Sequence, residues 1–195
     1  MILIIDNTKN LNKAFMTPKI INILESMDTK YCIISSKTDL VNIINSNKLI
    51  NGIILSGGPL CMSEQCFYND ISKNLIALNI CEEIPILGIC FGFQIMCDLY
   101  GGTISRLKNE NSGRHQIVTN NSISLMEDMP KNSIVYYSHG DYVSRPPIDF
   151  KILKDKNMII GIENIKKKRF GFQFHPEGSI DGSTIIKNFI KKYCY

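Results

Sequence analysis

Short apolar runs alternate with stretches of helical periodicity in the first half of the chain. The runs at Ile2–Ile5, Tyr31–Ile34, Gly52–Leu55 and residues 85–89 predict buried strands. Uninterrupted apolar strands suit a sheet that is covered on both faces, and alternating strands and helices are joined by right-handed crossovers. The pattern therefore predicts an α/β fold with an open, mostly parallel sheet flanked by helices.

The segments between these strands have the apolar spacing of amphipathic helices. One helix-like segment ends near Met27, and a second has its apolar face at residues 40–44. A third helix is predicted over residues 69–79, and a fourth over residues 91–100, directly after the fourth strand.

The second half of the chain is richer in short β pieces. They are predicted at residues 116–119, 122–125, 134–137, 152–153, 158–163 and 170–174. A last amphipathic helix turns inward the residues Ile185, Ile186, Phe189 and Ile190. Because no linker, repeat or low-complexity segment interrupts the pattern, we expect residues 1–195 to form one domain.

Composition narrows the classes of partner and compartment. The net charge of +4 is mild, and its densest basic run, at residues 166–169, is more typical of a solvated turn than of a nucleic-acid surface. No stretch approaches the roughly 18 apolar residues of a membrane span. The cysteine count of 7 is odd and there is no signal peptide, so we expect a reducing, cytoplasmic compartment.

The strongest chemical signal is Cys90, between Gly88 and Gly92 where the fourth strand meets its helix. A sharp strand-to-helix turn lifts a nucleophile clear of the sheet and needs small neighbours on both sides. A helix N-terminus beside a thiol also favours the thiolate form. The alternative is a buried structural cysteine between two packing glycines.

His175, Pro176 and Glu177 are the candidate partners of this thiol. Proline keeps the preceding residue extended, so residues i and i+2 project to the same side and Glu177 can orient the imidazole of His175. A surface turn is the plain alternative. A zinc deaminase would need a downstream Pro-Cys-x-x-Cys, and only Cys194 follows, so neither a metal nor another cofactor is predicted.

Paired glycines follow the third strand in residues 56–59 (SGGP). Glycines let backbone N–H groups approach an anionic centre closely, so the N–H groups of Gly58 and Phe91 are candidates for an oxyanion hole. An ordinary strand-to-loop turn is the alternative. A phosphate cradle is less favoured, because neither a Gly-x-Gly-x-x-Gly motif nor a P-loop is present.

Four segments, in order and covering essentially the whole chain, carry a family resemblance: residues 56–59 (SGGP), 88–94 (GICFGFQ), 138–141 (SHGD) and 171–177 (GFQFHPE). Together they resemble the class I (triad-type) glutamine amidotransferase domain. The resemblance implies a flavodoxin-like open sheet, with glutamine bound at the carboxyl ends of the strands.

The same resemblance implies a role for each matching residue. Cys90 is the nucleophile that forms a γ-glutamyl thioester, His175 is the general acid/base, and Glu177 orients His175. Gly58 and Phe91 supply the oxyanion N–H groups. The positions that hold the substrate are Gly57, Gln94, Ser138, His139 and Asp141. For His139 and Asp141 a hydrogen-bonded turn after residues 134–137 is the alternative.

The chain departs from the family pattern at three places. Phe93 replaces a frequent histidine, although GMP synthetases accept an apolar residue there, and Gly178 replaces the usual valine or serine. The loop after Pro59 is unusual in containing Cys61, Met62 and Cys66. None of these positions belongs to the three catalytic candidates.

Such domains usually feed ammonia to a synthetase, which would here be a separate subunit. Residues 138–143 and 113–114 most resemble the amidotransferase part of GMP synthetases, whereas Asp6 and Asn7 resemble anthranilate and aminodeoxychorismate synthase subunits. Two further alternatives remain open. One is a γ-glutamyl hydrolase or peptidase, and the other is a non-catalytic, regulatory glutamine-binding subunit.

Overall fold

The computed structural model describes residues 1–8, 16–46, 49–63, 68–119, 123–179 and 181–194. The beginning of the first predicted helix and Cys66 lie outside these ranges. Within them, the helices are α1 (Thr17–Glu25), α2 (Lys37–Asn45), α3 (Tyr68–Ile80), α4 (Phe91–Leu99) and α5 (Ser183–Tyr193). The strands are β1 (Ile2–Ile5), β2 (Tyr31–Ile34), β3 (Gly52–Leu55), β4 (Ile86–Ile89), β5 (Thr103–Val118), β6 (Asn132–Arg145), β7 (Lys151–Asp155), β8 (Met158–Asn164) and β9 (Arg169–Phe172).

The described strands form a seven-stranded sheet in the order β2-β1-β3-β4-β9-β8-β7. Strands β2, β1, β3, β4 and β9 are parallel, whereas β8 and β7 join antiparallel at one edge. This order places β4 between β3 and β9, so the segments that follow these three strands emerge side by side at one edge of the sheet. The predicted mostly parallel sheet flanked by helices is confirmed.

Two apolar layers cover the sheet, one on each face. On one face, Ile4, Ile54 and Leu87 pack with Ile20 of α1 and Phe189 of α5. The other layer joins side chains of the same strands to α2, α3 and α4, through Leu3, Leu55, Leu40, Leu78 and Phe93. Because successive strand residues point to opposite faces, both faces need apolar residues. This need explains the unbroken apolar runs in the sequence.

Strands β5 and β6 pair antiparallel as a separate two-stranded sheet. The short pieces predicted at residues 116–119 and 134–137 are only parts of these long strands. Most of β5 is exposed or half-buried on both faces, so its sequence lacks the alternation that indicates a strand. The turn considered for His139 and Asp141 is wrong, because both residues lie within β6.

The β piece predicted at residues 122–125 is wrong where the structure describes it, because Ser124–Met126 is a 3₁₀ helix. Its short apolar run packs onto α5 rather than into a sheet. The Glu163 carboxylate accepts the Ser124 N–H at 2.7 Å, and the Asn188 amide donates to the Leu125 carbonyl at 3.0 Å. These tertiary contacts replace the pairing that a strand would have provided.

Candidate active site

Cys90 lies at a strained turn between β4 and α4. Its φ of 49° and ψ of −102° belong to a conformation that L-residues rarely adopt. A Cβ on Gly88 would lie 2.8 Å from the Gly92 carbonyl oxygen, and one on Gly92 would overlap the Leu55 backbone. The predicted small neighbours are therefore required by close backbone packing, and the turn presents the thiol at the carboxyl end of β4.

His175 approaches this thiol from the neighbouring strand, because it follows β9 after a short connection. Its backbone N–H donates to the Tyr136 carbonyl at 2.8 Å, which fixes the segment against β6. Its Nδ1 lies 2.9 Å from Oε1 of Glu177, and its side chain hydrogen-bonds with Cys90. The three predicted catalytic residues thus lie together, each less than 10% exposed.

The route by which Glu177 reaches His175 differs from the expected one. His175 is extended, as its position before proline requires, with φ −96° and ψ 97°. The chain then turns through a 3₁₀ helix, Pro176–Gly178, in which the Gly178 N–H donates to the His175 carbonyl at 2.9 Å. The fully extended segment predicted here is wrong, since this turn folds the carboxylate back to the ring.

The electrostatic surroundings of His175 favour its protonated form. Burial alone lowers the pKa of His175, but the Glu177 carboxylate, hydrogen bonds with Cys90 and Glu177, and the charge of the Cys90 thiolate together raise it well above 6.5. Oε2 of Glu177 is buried with no hydrogen-bond partner among the described residues. An imidazolium beside a sulfur nucleophile can protonate a leaving amine.

We expect Glu177→Gln to lower the pKa of His175, because the substitution removes the negative charge that raises it. At a given pH above this pKa, less imidazolium then remains to protonate ammonia, so activity declines at lower pH than in the parent protein. The rate should also fall by about 10- to 100-fold, a part of what a positioned general acid contributes. Nuclear magnetic resonance titration of the imidazole and pH–rate profiles measure both effects.

Glu127→Gln is the matched control, because Glu127 pairs with Lys192 at the surface. An unchanged pKa of His175 in Glu177→Gln would contradict the orienting role of Glu177.

The glycine loop after β3 lies against these residues. A Cβ on Gly57 would come within 2.6 Å of Cε1 of His175, so Gly57 packs directly on the imidazole. Gly58 packs on the backbone of Asn7, where a Cβ would lie 2.7 Å from the carbonyl oxygen. Phe91 is the first residue of α4, so its N–H has no acceptor within the helix. Both candidate oxyanion donors, Gly58 and Phe91, border a cleft beside the thiol.

This cleft has a volume of about 200 Å³. Its predicted site residues are Gly58, Cys90, Phe91, Gln94, Ser138, His139 and Asp141. Other residues that line it are Pro59, Leu60, Cys61, Glu110 and Gly140. The structure therefore brings together β3, β4 and β6 around one small cavity, as the motif spacing predicted.

Gln94 and Gln173 form a buried polar contact at the inner end of the cleft. The Gln94 amide donates to the Asp141 carbonyl at 2.8 Å and to Oε1 of Gln173 at 3.3 Å. Gln173 in turn places its amide nitrogen 4.0 Å from Sγ of Cys90, which lies 3.7 Å from the Ser138 carbonyl oxygen. Gln173 lies within the fourth motif, yet no role could be predicted for it from the sequence.

His139 and Asp141 share the inward face of β6, because residues i and i+2 of a strand point to the same side. Nδ1 of His139 lies 2.8 Å from the Asp141 carbonyl oxygen. Burial lowers the pKa of His139, and the hydrogen bond to Asp141 offsets only part of this effect. His139 is therefore a neutral ring in the cleft wall at neutral pH.

The Asp141 carboxylate fastens the loop after β3 to the hairpin. It accepts the Ser63 N–H at 2.9 Å and the Ser63 hydroxyl at 2.6 Å, and it lies 3.2 Å from Nη1 of Arg106. The side chain of Asp141 is only 2% exposed. Ser63 and Arg106 were not predicted, because contacts between residues 35 to 78 positions apart leave no local pattern.

We expect Asp141→Asn to loosen the loop after β3, since an amide cannot accept all three of these hydrogen bonds. Leaving buried donors unpaired should lower the free energy of unfolding by about 1–3 kcal/mol. Urea denaturation measures the loss, and limited proteolysis should show faster cleavage near residues 60–63. Asp98→Asn, an exposed position on α4, is the control. Equal stability of the two variants would contradict the fastening role.

A larger cavity, about 700 Å³, lies at the amino ends of β4 and β9, away from the thiol. The guanidinium of Arg169 donates there to main-chain carbonyls, including those of Ile84 and Cys81. Lys168 pairs with Glu83, and Lys167 lies over the ring of Tyr100. Because these charges hold the surrounding turns together, the smaller cleft with the nucleophile is the better candidate site.

Comparison with known proteins agrees with this geometry. The family model described as glutamine amidotransferase class-I matches residues 3–193. The chain therefore belongs to the class-I glutamine amidotransferase family, as the four motifs predicted.

Two relatives illustrate the range of proteins that contain such a chain. A separate subunit of a glutamine-hydrolysing GMP synthase from Methanococcus aeolicus is 39% identical over 166 residues, which cover 82% of each chain. A glutamine-hydrolysing GMP synthase from Finegoldia magna is 35% identical over 168 residues, which cover 84% of this chain but 32% of the relative. The chain thus spans about a third of the length of several relatives that it matches.

Solved structures share the fold. A putative GMP synthase subunit from Thermoplasma acidophilum superposes with a TM-score of 0.79 at 22% identity, covering 97% of this chain and 92% of the other. A glutamine amidotransferase from Thermotoga maritima gives 0.69 at 21% identity, covering 97% and 80%. Separately, none of the helices that the structure describes is long and apolar enough to cross a bilayer.

Proposed function

We propose that this chain, acting as one domain in the cytoplasm, hydrolyses the side-chain amide of glutamine and delivers the ammonia to a separate GMP synthetase-type subunit. One observation carries the proposal. The thiol of Cys90, at a strained strand-to-helix turn, hydrogen-bonds with an imidazole that is itself paired with Glu177, beside a cleft lined by Gly58 and Phe91. This is the arrangement of nucleophile, base and orienting carboxylate that acyl transfer requires.

The proposed first half-reaction forms a thioester. The Cys90 thiolate attacks the amide carbon of glutamine, and the N–H groups of Gly58 and Phe91 stabilise the oxyanion that develops. The tetrahedral intermediate then collapses with cleavage of the carbon–nitrogen bond. His175 transfers its proton to the departing nitrogen, so ammonia leaves as a neutral molecule.

The proposed second half-reaction releases glutamate. His175, now neutral, accepts a proton from water as the water oxygen attacks the thioester carbon. The carbon–sulfur bond breaks, the thiolate of Cys90 is restored, and His175 regains its proton. Glu177 holds Nδ1 of the ring at 2.9 Å in both halves, which leaves Nε2 directed at the reacting atoms.

Two observations favour this function over the other candidates. The cleft of about 200 Å³ suits a single amino acid better than a γ-glutamyl peptide. Asn7, which suggested an anthranilate synthase subunit, has a structural use: its amide donates to the Ser56 carbonyl at 2.8 Å and contacts Asn74. The similarity to the Methanococcus aeolicus GMP synthase subunit over 82% of both chains supports a separate synthetase partner.

The decisive experiment measures ammonia from glutamine with the purified chain, alone and with a GMP synthetase-type subunit, its nucleotide substrate and ATP. We expect glutamate and ammonia to form in equal amounts, and GMP to form only when both proteins are present. Glutamine turnover without GMP would refute the proposed partner. Faster release from γ-glutamyl peptides would favour a peptidase, and no turnover in any mixture would favour a regulatory subunit.

A further inference from the structure

The β5–β6 hairpin carries an irregularity beside the cleft. Arg106 pairs with Asp141, yet the next paired residue of β5, Asn111, faces His139. Residues 107–110 are therefore opposed by Gly140 alone. Extra residues in one strand form a bulge, and bulges beside active sites redirect side chains. Glu110, the last residue of this bulge, lines the cleft.

Glu110 has a charged neighbour at the mouth of the cleft. Its Oε1 lies 3.9 Å from Nη2 of Arg106. A Cβ on Gly140 would lie 2.9 Å from Cζ of Arg106, so the guanidinium packs on the cleft wall. The Glu110 side chain is 75% exposed and the Arg106 side chain 39%. Carboxylate and guanidinium thus both remain accessible to a ligand that enters from solvent.

The two carboxylates among the described residues of the cleft are not equivalent. Asp141 has a 2% exposed side chain, and its oxygens accept hydrogen bonds from Ser63 and contact Arg106. It therefore serves the protein's own loop. Glu110 offers its carboxylate outward, where a charged group of a substrate can reach it.

Glutamine presents opposite chemistry at its two ends. The amide must reach Sγ of Cys90 at the inner end of the cleft, so the α-ammonium and α-carboxylate extend toward the mouth. Gln94 and the backbone of β6 offer only neutral acceptors to an ammonium group. A hydrogen bond between two charged groups is stronger than one with a neutral acceptor.

We infer that Glu110 binds the α-ammonium group of glutamine and thereby distinguishes it from γ-amides that lack this charge. The inference rests on the proposed function and adds a specificity-determining residue to the same site. Glu110 takes no part in bond making or breaking, so its removal acts on substrate binding.

The test compares Glu110→Gln with the parent protein on two substrates, glutamine and 4-carbamoylbutanoate, which has the same chain without the α-ammonium group. We expect KM for glutamine to rise about tenfold, equivalent to about 1.4 kcal/mol, with kcat within about twofold because the reacting groups are untouched. KM for 4-carbamoylbutanoate should not change. Glu83→Gln is the control, because Glu83 also forms an exposed ion pair, with Lys168, outside the cleft.

Two outcomes would overturn the inference while leaving the proposed function intact: an unchanged KM for glutamine, or equal losses on both substrates. Equal losses would mean that Glu110 only shapes the bulge. Failure of the proposed function looks different, since the parent protein itself would then release no ammonia from glutamine. Calorimetric titration of glutamine into Cys90→Ala, with and without Glu110→Gln, reports the same tenfold difference without turnover. Equal affinities there would also overturn the inference.

Discussion

Replacing Cys90 with alanine is expected to lower the rate of ammonia release from glutamine by at least about 10⁴-fold, the scale seen when a nucleophile is removed from a catalytic triad. Alanine has no group that can form the thioester, and the cleft then retains only its oxyanion donors and binding contacts. Steady-state assay of ammonia gives the rate. Mass spectrometry of rapidly quenched protein should detect a γ-glutamyl adduct on the parent chain and none on the variant.

Cys32→Ala is the matched control, because Cys32 is a free cysteine on β2 and outside the cleft. It should retain full activity and the adduct. Thermal unfolding should show that the Cys90 variant remains folded, since its backbone turn is held by neighbouring glycines. Substantial glutamine hydrolysis by the Cys90 variant would refute the assignment of the nucleophile.

Replacing Gly57 with alanine should produce the second largest loss, about 100-fold or more in kcat/KM, because misplacing a catalytic group by about 1 Å can cost that much. The added methyl would lie 2.6 Å from Cε1 of His175 and 3.6 Å from Cβ of Cys90. His175 is only 4% exposed, so the ring has little room to retreat and must move relative to the thiol. Kinetic assay measures the loss.

Gly161→Ala is the control for this substitution. Its added methyl would lie 3.1 Å from the Phe172 ring, within the sheet. Thermal unfolding of both variants separates misfolding from a displaced imidazole. Normal activity in a folded Gly57→Ala protein would show that the loop yields instead of the ring, and would contradict the role given to this contact.

The parallel part of the fold could be predicted because its physics is local. Strands buried on both faces must be apolar throughout, so β1, β2, β3 and β4 appear in the sequence as short continuous runs. The turn at Cys90 could be predicted for a similar reason. Two glycines that flank a cysteine at the end of such a run are needed where backbone segments almost touch.

The wall of the cleft could not be predicted in the same way. Strand β5 is polar and largely exposed, so its full length and its bulge at residues 107–110 leave no periodic signal. The contacts of Asp141 with Ser63 and Arg106 depend on how the hairpin folds over the loop. Glu110 reaches the cleft only through that bulge, which explains why sequence patterns alone did not identify it.

The pairing of β9 directly beside β4 has a consequence for the newly made polypeptide. Cys90 leaves the ribosome well before His175, and no earlier strand can place an imidazole beside it. Until β9 inserts into the sheet, the thiol lacks its acid/base partner and the nascent protein cannot consume glutamine. Competence for the reaction therefore arises late, when the C-terminal portion folds onto the rest.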